Sequence, residues 1–130
     1  MAELTAHIDL PLFDASAAPT ARKAIRPILE SWNCTDEDWL RDAELVVSEL
    51  VTNAIRHGGG GLELALTMHE RSVTVSVADG SAVIPVLALE PGAEGGWGLR
   101  IIEALSDAWG VDNQRGGKRV WVRLHEPANE

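Results

Sequence analysis

CTDEDWLRDAELVVSELVTNAIRHG, residues 34–58, repeats apolar residues at helical spacing and runs into four glycines, Gly58 to Gly61. The spacing predicts one long helix. Thr35 is the expected N-cap, with Asp38 three residues on, Asp36 and Glu37 in the first turn and Gly58 just past the end. On a helical wheel Glu49, Asn53 and His57 fall within an arc of about 80°, with Arg56 beside Glu49. Val47, Leu50, Val51, Ala54 and Ile55 occupy the opposite arc. Two readings are open for the polar stripe. It is either the solvated face of an ordinary amphipathic helix or the wall of a pocket. Leu45 and Val46 interrupt the polar sector one turn earlier, and asparagine is a poor helix former at an interior position. Both details weigh toward the pocket.

The surrounding chain has 130 residues, which predicts one domain over 1–130 with a single core. Acidic residues outnumber basic ones 20 to 11, for a formal charge of −9. That argues against a nucleic-acid partner, because neutralising phosphates takes clustered Lys and Arg. No apolar run approaches the roughly 18 residues of a membrane span. "MAELTAHIDLPLFD" lacks the basic start of a signal peptide, so the expectation is a cytoplasmic chain with no membrane partner. Cys34 is the one cysteine, which excludes an internal disulfide and reads as a small, partly buried residue.

Outward from the helix, "AHIDLPLF" reads as a first strand, with Pro11 favouring an edge. "DASAAPTARKAIRPILESWN" is helical after Pro19, with Pro27 expected to kink it. "LELALTMHE" and "SVTVSVADG" alternate and join through "HERS" as a hairpin. "SAVIPVLALEPGAEGG" reads as a long loop, "WGLRIIEALSDAWG" as a helix, and "WGVDNQ", "RGGK" and "RVWVRLH" as a second hairpin. The order β-α-α-β-β-loop-α-β-β predicts an α+β two-layer sandwich: a mostly antiparallel, mixed sheet with helices on one face. Trp32, Trp39, Trp109 and Trp121 fit apolar faces, whereas Trp97 stands between glycines.

Two further segments could carry chemistry. "GGWG", Gly95 to Gly98, opens a helix after a long loop. Bare backbone N–H groups there suit an anion, and a hinge would look the same. "VADGS" ends an alternating strand at Asp79-Gly80, which is either a turn or a carboxylate at a pocket floor. Familiar nucleotide and hydrolase motifs fail. Asp112 stands where a Walker A loop needs its first glycine and Arg119 follows Gly117-Lys118; Ile101 stands where a dinucleotide fingerprint needs its third glycine. There is no G-x-S-x-G elbow and no zinc-ligand spacing among the histidines.

Taken together and in this order, "AELVVSELVTNAIRHG", "VADGS", "GGWGLRII" and "GGKRVWVRL" resemble the GHKL ATP-binding family over nearly the whole chain. They are most similar to small stand-alone regulators of the anti-sigma-factor serine kinase type. The resemblance implies ATP and Mg²⁺ as cofactors, Asn53 as the Mg²⁺ ligand and Glu49 as the catalytic base. It implies that Asp79 and Gly80 meet the adenine, and that Gly96 and Gly98 bring backbone amides to the phosphates. His57, Leu99 and Arg100 would line the pocket, and residues 81–95 would form a lid. Implied partners are a sigma factor or an anti-sigma antagonist, the latter phosphorylated on serine, and a homodimer fits the type. A nucleotide-binding interaction module without phosphotransfer is the alternative. The chain departs from the family pattern in two places. Ser81 stands where the adenine box has glycine, and Lys118-Arg119 replaces the threonine of the closing hairpin. That basic pair either adds charge near the phosphates or lies outside the site.

Overall fold

A computed structural model describes residues 3–10, 14–57, 62–80, 96–114 and 117–127. The elements follow the expected order: β1 (Leu4–Leu10), α1 (Ala17–Ser31), α2 (Glu37–His57), β2 (Leu62–His69), β3 (Ser72–Asp79), α3 (Gly96–Leu105), β4 (Ala108–Gln114) and β5 (Gly117–His125). The five strands form one sheet in the order β1-β2-β3-β5-β4. Every pairing is antiparallel, so the sheet is not mixed.

Alternation sets the two faces of the sheet. Leu62, Leu64, Leu66 and Met68 of β2 are in phase with Val73, Val75 and Val77 of β3 and with Val120, Val122 and Leu124 of β5. All are buried under the helices. The three helices lie side by side, α2 between α1 and α3. α1 leans on β1, α2 on β3 and β5, and α3 on β4. β1 sits at a sheet edge, where Pro11 had pointed, although Pro11 itself lies outside the described residues.

Local chemistry accounts for the element ends, with one difference from expectation. Asp36, not Thr35, caps α2: its Oδ1 accepts the Trp39 N–H at 2.8 Å. Burying Trp39 sets where the first turn begins, and that places Asp36 three residues before the N–H needing an acceptor. α1 also runs through Pro27 as one helix. Pro27 faces solvent, while Ala21, Ile25 and Leu29 are buried on the opposite side and hold the helix across the missing N–H. α1 closes at Asn33, whose φ of 67 is left-handed. Asn33 N–H donates to Glu30 O and Cys34 N–H to Leu29 O, both at 3.0 Å, which satisfies carbonyls of the last turn.

Polar contacts tie the layers together. Arg26 bridges α1 to Glu44 and Glu37 of α2, at 2.8 Å in each case, and Arg22 donates to the buried Ser48. At the end of the sheet where β5 stops, the Arg71 guanidinium pairs with the buried Glu126. Cys34 is buried nearby, with Sγ 4.0 Å from Met68 Sδ. Burial, and then the Glu126 carboxylate, push the Cys34 thiol up to about 12, with Arg71 pulling the other way.

Of the tryptophans, Trp39 is buried and Trp32 and Trp109 pack on the core. Trp121 differs, since the register puts it on the sheet face away from the helices. Its ring lies across Gly110, where a Cβ would come within 2.7 Å of Cζ2. The side chain of Trp97 lies outside the described residues. Among the described residues, no helix is long and apolar enough to cross a membrane.

Two outcomes follow from this packing. Ile25→Ala should cost about 2–5 kcal/mol in denaturant unfolding, because the side chain is fully enclosed; loss of the Asp36 cap in Asp36→Ala should cost about 1 kcal/mol. Cys34 should resist an aromatic disulfide reagent at pH 8 in the native state and react readily in denaturant. Because the folded thiol titrates far above its ordinary value of 9.0, the unfolded chain releases its proton first as pH rises. Cys34 therefore lowers stability progressively between pH 9 and about 12, which a pH series of unfolding curves would read.

Candidate functional site

Chain connections gather the four singled-out segments at one end of the sandwich. β3 finishes at Asp79, opposite Lys118 near the start of β5. β2 starts at Leu62 on the same end, paired with Leu10 at the end of β1. α2 ends at His57, five peptide links from Leu62, so its last turns lie within roughly 18 Å of that end. α3 finishes at Leu105 and leads directly into β4, whose first residue Ala108 pairs with Arg123 at the far end of the sheet. The opening turn of α3, with Gly96 and Gly98, therefore points back toward Asp79. α2 packs against both α3 and β3, so Glu49 and Asn53 sit on the helix between them.

The polar stripe of α2 is partly enclosed. Leu45 is 40% exposed and Glu49 half-buried, but Asn53 is only 7% exposed. Burial along the stripe is uneven, since Arg56, beside Glu49 on the wheel, is exposed. Val46, in the same sector, is fully buried.

Asp79 has a partner that the sequence reading did not assign to it. Lys118 Nζ donates to Asp79 Oδ1 at 3.0 Å, and the two side chains are 1% and 0% exposed. Lys118 continues the inward phase of Val120, Val122 and Leu124, as Asp79 continues that of Val73, Val75 and Val77. Two opposite charges in the core phase of two adjacent strands were the available signal. Gly117 makes the approach possible, since a Cβ there would stand 2.0 Å from the Asp79 carbonyl oxygen.

Arg119 takes the other face. It donates to Ser76 Oγ at 2.7 Å and pairs with Glu63, away from the helices. The basic pair is therefore split, with Lys118 inside and Arg119 outside. A cleft of about 470 Å³ opens at this end, lined by Leu10, Leu62, Glu63, Ala78, Asp79 and Arg119.

Arg100 is half-buried on α3, and Gly80 is exposed just past β3. Of His57, Gly96, Gly98 and Leu99 the backbone placement alone is described. The glycines 58–61, Ser81 and the lid segment 81–95 lie outside the described residues. Among the described residues, no group of three or more His, Cys, Asp or Glu side chains is placed to hold a metal ion.

Comparison with known proteins places the fold and the family. Residues 13–124 match the histidine kinase-like ATPase domain family. The chain is 30% identical over 101 residues to the anti-sigma F factor of Clostridium beijerinckii, covering 66% of this chain and 71% of that protein. Among solved structures it is similar to the RsbU and RsbW domains of Rv1364c from Mycobacterium tuberculosis, with a TM-score of 0.71 and 25% identity. That match covers 94% of this chain but 32% of the larger one, so the chain spans about a third of its length. The histidine kinase domain of Erythrobacter litoralis EL346 shares the fold, with a TM-score of 0.55 at 18% identity over 85% of this chain and 60% of that one. The chain belongs to the histidine kinase-like (GHKL) ATPase family and resembles its anti-sigma-factor members.

Proposed function

We propose that this chain is an ATP·Mg²⁺-binding regulator that binds a sigma factor or an anti-sigma antagonist and phosphorylates a serine of the antagonist. The observation that carries the proposal is Asn53: an amide 7% exposed on the central helix, one turn beyond the half-exposed Glu49. An enclosed amide beside a reachable carboxylate is what a metal-bridged phosphate and an incoming hydroxyl require.

The donor set fits the cofactors. Mg²⁺ binds through few protein ligands and keeps phosphate oxygens and waters for the rest. A single amide oxygen, from Asn53, therefore suffices without an acidic cluster. Bound Mg²⁺·ATP would supply the phosphoryl group and neutralise charge that develops on it. Glu49 would accept the proton of the attacking serine hydroxyl, or orient that hydroxyl toward the phosphate. The backbone N–H groups at Gly96 and Gly98 open a ten-residue helix and would face the phosphates. Asp79 and Gly80 would meet the base, with His57, Leu99 and Arg100 around the rim. Residues 81–95 would close over the nucleotide. The net charge of −9 is in keeping with a protein partner rather than nucleic acid.

Retention of both Glu49 and Asn53 favours phosphotransfer over a silent binding module. Titration with a fluorescent ATP analogue should show saturable binding that strengthens with Mg²⁺. Asn53→Ala should remove the Mg²⁺ dependence. Glu49→Ala should lower radiolabel transfer from ATP to a captured antagonist by about a hundredfold or more, while binding changes little. Equal transfer by the Glu49 variant would refute the assigned base, and absence of binding at millimolar nucleotide would refute the site.

A further inference from the structure

The inward row of β5 has a buried charge at each end. Lys118 opens it beside Asp79, and Glu126 follows Val120, Val122 and Leu124 in the same phase at the other end of the sheet. Glu126 is 1% exposed. Its Oε1 takes the Arg71 guanidinium, which also donates to the Glu126 carbonyl at 3.2 Å and to the Pro127 carbonyl. That strap ties down the chain after β5 and accounts for one carboxylate oxygen. Oε2 is buried and accepts no hydrogen bond among the described residues. A buried carboxylate oxygen without a donor is costly, so its presence in the core points to a further ligand.

Two sulfur atoms share this end of the core. Cys34 is fully enclosed, and its thiol donates to Met68 Sδ at 4.0 Å. Burial first, and then the Glu126 carboxylate, disfavour the Cys34 thiolate, which sets sulfur and carboxylate side by side. Such a pair suits a cation held by both. With metal–sulfur bonds of about 2.3 Å, an ion equidistant from sulfurs 4.0 Å apart sees them at about 120°. That is the angle of a three-coordinate site, with the third position left for oxygen. Charge decides the kind of ion. Arg71 already balances Glu126, so exchanging the thiol proton for a monovalent ion leaves the enclosed charge unchanged. A divalent ion would add an unpaired positive charge. Thiolate and thioether together select copper(I).

We propose that Cys34 Sγ, Met68 Sδ and Glu126 Oε2 form a three-ligand site for copper(I). Binding forms a copper–Sγ bond and breaks the S–H bond, whose proton leaves to solvent; no electron is transferred. The ion takes the place of the hydrogen that Cys34 directs at Met68. It enters when the Arg71 strap, 38% exposed, opens locally. The site lies at the opposite end of the sheet from Asp79 and needs nothing from the nucleotide site.

Copper(I), kept reduced without oxygen, should be titrated into the whole chain against a chromogenic copper(I) chelator of known affinity. One equivalent should bind, with a near-ultraviolet copper–thiolate absorption and a raised thermal midpoint. Release of one proton per ion makes the affinity rise about tenfold per pH unit between about pH 6 and 8. Cys34→Ser should weaken binding by about a hundredfold or more, and Met68→Leu and Glu126→Gln by about tenfold or more each. Zinc(II) at equal concentration should not displace the copper. No binding in competition with the chelator would overturn the site, and so would displacement by zinc(II). Undiminished affinity in Met68→Leu and Glu126→Gln would reduce it to a bare thiol and overturn it equally. Should Glu126→Gln fail to fold, which its thermal melt would show, Met68→Leu decides, because that exchange keeps the core volume.

Discussion

Helix α2 is the constraint on which the rest of the structure depends. It touches α1 on one side and α3 on the other, and it lies over β3 and β5. Val46, Val47, Leu50, Val51 and Ala54 bury almost completely against these neighbours. An apolar arc that wide leaves little freedom in how the helix is rotated. With the arc seated, Asn53 is buried and Glu49, one turn earlier, is half-buried. The positions of the proposed site residues Glu49 and Asn53 are thus a consequence of core packing, on the same helix that organises the fold.

At the end of the sheet the governing interaction is electrostatic. A buried ion pair contributes little net stability compared with apolar residues of equal size, while removing one partner costs about 3–5 kcal/mol. Lys118 and Asp79 are therefore hard to change singly. What they add is a defined pattern of charge and hydrogen-bond capacity at the end of the sheet where β3 stops and β5 starts. Arg119, one residue on, shows how sharply the pleat divides such roles. It reaches Ser76 and Glu63 on the open face, with no part in the enclosed pair.

Much of this was legible in the sequence because the periodicities are strong. The 3.6-residue repeat of α2 and the two-residue repeat of β2, β3 and β5 gave the elements, their order and the antiparallel layer. The proposed site's spread over four segments was legible through the family pattern, since no single motif carries it. Other features depended on tertiary packing. Thr35 and Asp36 are both competent caps, and only the burial of Trp39 selects Asp36. Pro27 lies inside α1, as the sequence reading had it, with apolar residues around it holding the helix together. Trp121 reads as core by type, whereas its phase on β5 puts it on the opposite face, flat over Gly110. The Lys118–Asp79 pair needed the β3–β5 register, which joins residues 39 apart in sequence.

The central claim is that the inner stripe of α2, the end of β3, the start of α3 and the start of β5 form one nucleotide site. Amide hydrogen exchange with and without Mg²⁺·ATP tests it most directly. The account predicts slowed exchange in peptides covering residues 49–57, 79–80, 96–100 and 117–119, with the Arg71–Glu126 end of the sheet unchanged. Protection confined to that far end, or none at saturating nucleotide, would contradict it.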